Sequence, residues 1–272
     1  MSTQHYRGRA LVTGASSGIG AIYADRLARR GYDLVIVGRD AARLNTVASR
    51  ISRDTGRKVE PIIADLATKP AQLKIEERLR TDSSITALVN NAGLGAAAPL
   101  LASDVEQLDT MIQVNVTALM RLTYAALPGF VARGEGALIN IASIVALAPE
   151  LLNGVYSGTK AFVVNFTQSI HNEVAPKGVR VQAVLPGATI TDFWDRSGLP
   201  LSNVPSEWQM SAEELVDASL AGFDQGELIT IPSLPDVSDW EKLNAARKAL
   251  APNLSRQHPA ERYKVAATAA RQ

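Results

Sequence analysis

The 272-residue sequence has no cysteine, which excludes disulfides, thiolate metal sites and cysteine nucleophiles and fits a reducing compartment. Histidine is scarce. His5, His171 and His258 are too scattered in sequence to suggest a metal site or a serine–histidine relay, and each is read as a satisfied or surface side chain. Net charge is nearly absent: 28 basic and 27 acidic residues leave +1, so no overall field draws the chain to nucleic acid or an anionic membrane. No apolar run approaches the ~20 residues of a membrane span, and residues 1–9 are polar where a secretory leader would be apolar. These absences leave small-molecule chemistry in a soluble, cytoplasmic protein without metal, membrane or nucleic-acid partners.

What is present is a hydrophobic share of 46%, enough for a sizeable core. Branched apolar runs at 9–13, 34–37, 59–63, 87–90, 137–141, 179–185 and 228–231 read as seven strands with amphipathic stretches between them. The first five have few polar positions in their middles, as expected of strands covered on both faces of a parallel sheet. Residues 18–30 place Ile19, Ile22 and Leu27 on one side at helical spacing, with Gly31 at the left-handed stop. The alternation implies a doubly wound α/β fold with ligands bound beyond the carboxyl ends of the strands.

One domain, 1–235, is expected, including a partly helical lid over about 188–212 that carries Phe193, Trp194, Gly198, Pro200, Pro205 and Trp208. Residues 236–272 read as a helix over 240–250 and a basic tail. From Leu243 onward Arg247, Lys248, Arg256, Arg262, Lys264 and Arg271 face one acid, Glu261. Such a tail is either solvated, packed on another subunit or near a nucleotide phosphate.

Directly after the first strand comes Thr13-Gly14-Ala15-Ser16-Ser17-Gly18-Ile19-Gly20, opening into a helix. Glycines permit a tight turn and close approach of backbone amides to a pyrophosphate, and a helix N-terminus offers unpaired N–H groups. A tight turn alone would also need glycine, but strand, loop and helix arrive in the order a dinucleotide site requires. The second strand ends in Gly38-Arg39-Asp40. A guanidinium with room around it suits a ribose 2′-phosphate, so Arg39 favours NADP(H). Asp40 keeps NAD(H) possible, because its carboxylate could reach a 2′-hydroxyl or else cap the next helix.

Tyr156 and Lys160 stand one helical turn apart, so an ammonium near the phenol is expected to lower its pKa and make it a workable proton donor. Alone, such a pair is commonly a surface pair. Ser143, at the end of the fifth strand, could hydrogen-bond a carbonyl oxygen as it becomes an alkoxide, or merely cap the strand end.

These segments, with Asn90-Asn91-Ala92-Gly93, Tyr156-Ser157-Gly158-Thr159-Lys160 and Pro186-Gly187 followed by Thr191, resemble the short-chain dehydrogenase/reductase family from about Gly8 to Ile231. The resemblance implies a Rossmann-type sheet and a catalytic set of Asn115, Ser143, Tyr156 and Lys160, with Asn115 helping to hold a proton-relay water. It implies that Asp65, beside Leu66, touches adenine, that Asn91, Ala92 and Gly93 line the cofactor cleft, and that Pro186, Gly187 and Thr191 hold the nicotinamide end. Lys160 would also reach the nicotinamide ribose, and a homodimer or homotetramer is the family's habit.

Hydride would pass between NADPH and a carbonyl carbon while Tyr156 supplies the proton. The expected substrate wall, Leu94, Val145, Leu147, Leu151, Leu152, Phe193 and Trp194, suits an apolar ketone or aldehyde, or the matching alcohol. An NAD-linked alcohol dehydrogenase and a non-catalytic NADP-binding regulatory protein are the alternatives.

Overall fold

The computed structural model describes residues 7–263. Its first half contains β1 (Arg9–Thr13), α1 (Gly18–Arg29), β2 (Asp33–Gly38), α2 (Ala41–Thr55), β3 (Val59–Ile63), α3 (Lys69–Thr81) and β4 (Ile85–Asn90). Then follow α4 (Val105–Ile112), α5 (Leu119–Arg133), β5 (Gly136–Ile141), α6 (Gly154–Val174), β6 (Val179–Val184), α7 (Phe193–Ser197), α8 (Ala212–Gln225), β7 (Ile229–Thr230) and α9 (Val237–Ala249). The seven strands form one parallel sheet in the order β3-β2-β1-β4-β5-β6-β7. Strand order reverses at β1 and β4, so the loops leaving them part and open a crevice at their carboxyl ends.

The sheet is covered on both faces because β1 and β2 are apolar at every middle position and β4 and β5 nearly so, Thr86 and Asn140 being their polar exceptions. Ala10 and Val12 of β1 pack with Tyr23 and Leu27 of α1, Leu44 of α2 and Leu215 of α8. Leu11 belongs to the opposite cluster, with Ile75 of α3, Leu122 and Phe130 of α5 and Ile170 of α6. β3 departs from the expectation of full cover. It is the edge strand, none of its residues is fully buried, and Ile63 is 44% exposed. Glu60 there accepts from Arg9 and Arg78, an ion-paired edge that discourages further strand addition.

Local signals set the helix ends. Asp40 caps α2 by accepting from the Arg43 N–H at 3.0 Å, and Asn153 caps α6 by accepting from the Val155 N–H at 2.9 Å. Ser211 and Glu214 form a reciprocal capping box at the start of α8. The base of the 189–210 excursion is drawn together: the Met210 N–H donates to the Ala188 oxygen and the Ile190 N–H to the Met210 oxygen, both at 2.9 Å.

The contact pattern divides the chain after Ser233. The second unit contains α9, which starts three residues before the expected 240 because Asp236 accepts from the Ser238 N–H at 2.9 Å. No side chain of α9 is buried. Arg247, Lys248, Arg256 and Arg262 of the basic stretch are exposed, while Lys264 and Arg271 lie outside the described residues, as does His5. Among the described residues no helix is long and apolar enough to cross a membrane.

Leu88, fully buried at the centre of the sheet, offers a direct check on this packing. Leu88→Ala should lower unfolding free energy by about 2–5 kcal/mol in a denaturant titration; a loss within about 0.5 kcal/mol, the scale of a surface change, would contradict the two-layered core.

Candidate active site

Two side chains tie the crevice together where β1 and β4 end. The Thr13 hydroxyl accepts from the Asn91 and Ala92 N–H groups, each at 3.0 Å, and the Asn91 amide donates to the Thr13 and Gly14 carbonyls at 2.9 and 3.2 Å. Gly14 and Gly20 give this knot its room. A Cβ on Gly20 would lie 2.4 Å from both Asn91 Nδ2 and the Gly14 oxygen, while Gly14 has φ +66° and would press on Ala92 at 2.8 Å. The loop then enters α1 with no side-chain cap at Ser17, leaving the first N–H groups of the helix free to meet an anion.

The knot borders a cleft of about 1880 Å³ that runs from the phosphate loop past the end of β2 to Ser143, Tyr156 and the lid. Of the cofactor-binding residues expected from sequence, all line it except Gly20, which lies behind Gly14. Of the expected substrate wall, Leu147 is a correction: it is 40% exposed and outside the cleft lining, because the short turn Ile144–Ala146 carries it past the mouth.

At the end of β2, Arg39 is exposed and makes no hydrogen bond or ion pair among the described residues. Asp40 is engaged as the α2 cap and also lies 3.5 Å from the Arg43 guanidinium. Arg43, not singled out in the sequence, lines the cleft and pairs with Asp192 at the start of the lid at 2.5 Å.

The acid–base groups sit opposite this end. Ser143 follows β5, and Tyr156 lies in the first turn of α6; both line the cleft, and the Ser143 hydroxyl donates to the Pro186 carbonyl at 3.4 Å. Lys160 is buried one turn later, with Nζ donating to the Ile141 carbonyl at 2.9 Å and lying 5.8 Å from the Tyr156 ring centroid. Asn115 occupies a π-helical turn, Gln113–Ala118, between α4 and α5, a distortion frequent at functional sites. Asn115 does not line the cleft. Its side chain bonds both ways to the Leu94 backbone at 2.8 and 2.9 Å and donates to the Thr159 hydroxyl at 3.1 Å, which itself donates to the Tyr156 carbonyl at 2.7 Å. Thr159 thus couples Asn115 to the tyrosine, a connection that spacing alone does not reveal.

The electrostatics reverse one expectation. Burial pushes the Tyr156 phenol up to about 12 despite the opposing effect of the nearby Ser143 hydroxyl, and burial lowers Lys160 to about 8. The low-dielectric surroundings disfavour both charged forms, so burial and not the neighbouring ammonium sets the direction of the phenol's shift. A second reading also changes: His171 is half-buried and its Nδ1 has no hydrogen-bond partner among the described residues, whereas His258 is at the surface.

Unfolded, Lys160 holds its proton to 10.5; folded, it releases it near 8. Between those values the unfolded state binds more protons, so folding stability should rise with pH across that window. Relative to Lys160→Met, the cofactor-free protein should gain up to about 3 kcal/mol between pH 8 and 10 in denaturant titrations. Parallel profiles for the two proteins would refute the burial assigned to this ammonium.

Comparison with known proteins agrees with this geometry. A family model described as short chain dehydrogenase matches residues 9–199. A very-long-chain 3-oxoacyl-CoA reductase of Bos taurus is 39% identical over 181 residues, 65% of this chain and 58% of its own length. The chain therefore spans little more than half of that relative. An uncharacterized oxidoreductase of Staphylococcus saprophyticus is 34% identical over 82% of this chain and 93% of its own. Among solved structures, a short-chain dehydrogenase from Sphingobium yanoikuyae in complex with NADPH is 44% identical with a TM-score of 0.91, covering 94% of this chain and 100% of that one. A bulky-bulky ketone specific alcohol dehydrogenase from Comamonas testosteroni is 42% identical with a TM-score of 0.87, covering 95% and 99%. With a family model matching residues 9–199 and a parallel seven-stranded sheet like that of its solved relatives, the chain belongs to the short-chain dehydrogenase family.

Proposed function

We propose that this protein is an NADP(H)-dependent oxidoreductase that interconverts an apolar, bulky ketone and its secondary alcohol. The observation that carries this reading is the Ser143–Tyr156 hydroxyl pair, backed by buried Lys160, facing a cleft continuous with the phosphate loop.

The residues present fit a dinucleotide. Gly14 and Gly20 are sites that a Cβ would fill, the start of α1 offers unpaired N–H groups, and Arg39 is unengaged beside Gly38. Because Asp40 caps α2 and flanks Arg43, the end of β2 suits a 2′-phosphate better than a bare hydroxyl. The NADPH complex of the Sphingobium relative supports the same choice. Asp65 and Leu66 would flank the adenine, and Pro186, Gly187 and Thr191 the nicotinamide end.

When bound, the nicotinamide supplies or accepts the hydride. Tyr156 delivers its hydroxyl proton to the carbonyl oxygen, and Ser143 hydrogen-bonds that oxygen as charge develops. Lys160, set behind the phenol, steadies the phenolate that proton loss creates. Asn115 acts as a positioning residue by fixing Leu94 and Thr159 around the tyrosine. Alcohol oxidation follows the same path in reverse. The bulky ketone is supported by the apolar cleft wall of Leu94, Val145, Leu152, Phe193 and Trp194 and by the substrate named for the Comamonas relative.

NADPH consumption with a panel of aryl and branched ketones tests the reading. Tyr156→Phe should keep NADPH affinity and lose about 10²–10⁴-fold in turnover; near-normal turnover would sink the assignment. Arg39→Asp should weaken NADPH binding by about 10- to 100-fold while sparing NADH, as loss of a charge-assisted contact predicts. An unchanged cofactor preference would instead contradict the role given to Arg39.

A further inference from the structure

After β4 the chain runs Gly93-Leu94-Gly95-Ala96-Ala97-Ala98 along the cleft, and the lid meets it at Gly95. A Cβ on Gly95 would stand 2.2 Å from Phe193 Cζ and 2.6 Å from Cε2. The requirement is one of space, since Gly95 is not among the glycines with positive φ. Phe193 thus rests on bare backbone, with its ring centroid 5.9 Å from that of Tyr156 at 43°. On its other side Trp194 meets it edge-on at 5.8 Å, and the Trp194 indole N–H donates to the Thr189 carbonyl at 2.8 Å. Two residues past Gly95, the Ala97 N–H donates to the Ser197 carbonyl at 3.2 Å. The first turn of the lid is therefore seated on the 93–98 loop by a backbone bond and an aromatic contact that any side chain at 95 would block.

We propose that Gly95 is a specificity-determining residue: by having no side chain it sets how far Phe193 reaches toward Tyr156, and so selects ketones with a flat aryl group beside the carbonyl. This rests on the reductase reading above. Phe193 lines the cleft and is only partly buried, so part of its ring is available to a substrate. A flat aryl group can stack offset or edge-on against that ring; a saturated ring of similar size cannot gain the same quadrupole contact. A methyl at 95 must push Phe193 aside, because the outer edge of its ring would otherwise lie 2.2–3.1 Å from the added carbon.

The test compares wild type, Gly95→Ala, Phe193→Ala and the double variant, using a phenyl ketone and its cyclohexyl analogue with NADPH. Gly95→Ala should raise KM for the phenyl ketone by about tenfold, the scale of a modest overpacking penalty, and leave NADPH affinity and the cyclohexyl KM within about twofold. In the Phe193→Ala background the same change should have no further effect. Equal effects of Gly95→Ala with and without Phe193, or equal effects on both ketones, would overturn the proposal. Near-ultraviolet circular dichroism of the four proteins gives a readout without turnover: the aromatic bands should change on Gly95→Ala only when Phe193 is present. A wild-type protein that reduces neither ketone would count against the reductase reading, and unaltered aromatic bands in Gly95→Ala would count separately against this one.

Discussion

The knot made by Thr13 and Asn91 is the constraint on which the site depends. Two neighbouring parallel strands, β1 and β4, end side by side, and their loops must turn to opposite sides of the sheet. One hydroxyl and one amide satisfy five backbone groups there, two N–H and three C=O, that would otherwise be costly to leave unpaired in a half-buried crevice. The glycine loop is held for an anion on one side, and Gly93 is held near Lys160 on the other. The proposed cofactor cradle and the proposed acid–base group are thereby joined through one hydrogen-bonded knot.

From that knot a second layer of hydrogen bonds reaches the chemistry. Asn115, set in its π-helical turn, clamps the Leu94 backbone and touches Thr159, which bonds to the Tyr156 carbonyl. Asn153 caps α6 at the turn that carries Tyr156 and also donates to the Ala98 carbonyl at 2.7 Å. The 91–98 segment is thus fixed at both ends by asparagines, which explains how a loop rich in alanine and glycine can present a defined wall to a substrate. Burial of Tyr156 and Lys160 makes both ionised forms costly, so the site holds a neutral phenol, the form able to donate a proton.

Much of this was legible in the sequence because the governing signals are local. Apolar runs marked all seven strands, and the glycine loop lay where strand gives way to helix. The misread features depend on tertiary position. β3 carries Val59, Ile62 and Ile63 beside Glu60, and its place at the sheet edge decides their exposure. Leu147 is near Ser143 in sequence, yet a short turn directs it away from the cleft. The pKa of Tyr156 moved opposite to the expectation because helical spacing reports a neighbouring charge and is silent about burial. Gly95 and Arg43 had no distinguishing pattern, since their significance comes from Phe193 and Asp192, about a hundred or more residues downstream.

The central claim is that cofactor cradle and acid–base group act together on one carbonyl carbon. NADPH carrying deuterium at the transferable nicotinamide C4 position, incubated with the purified protein and a bulky aryl ketone, tests it most directly. The account predicts that the product alcohol carries the deuterium on its carbinol carbon, seen by mass spectrometry and NMR, in a single stereochemical configuration. An alcohol free of deuterium, or label retained in the cofactor with the ketone unreduced, would contradict it.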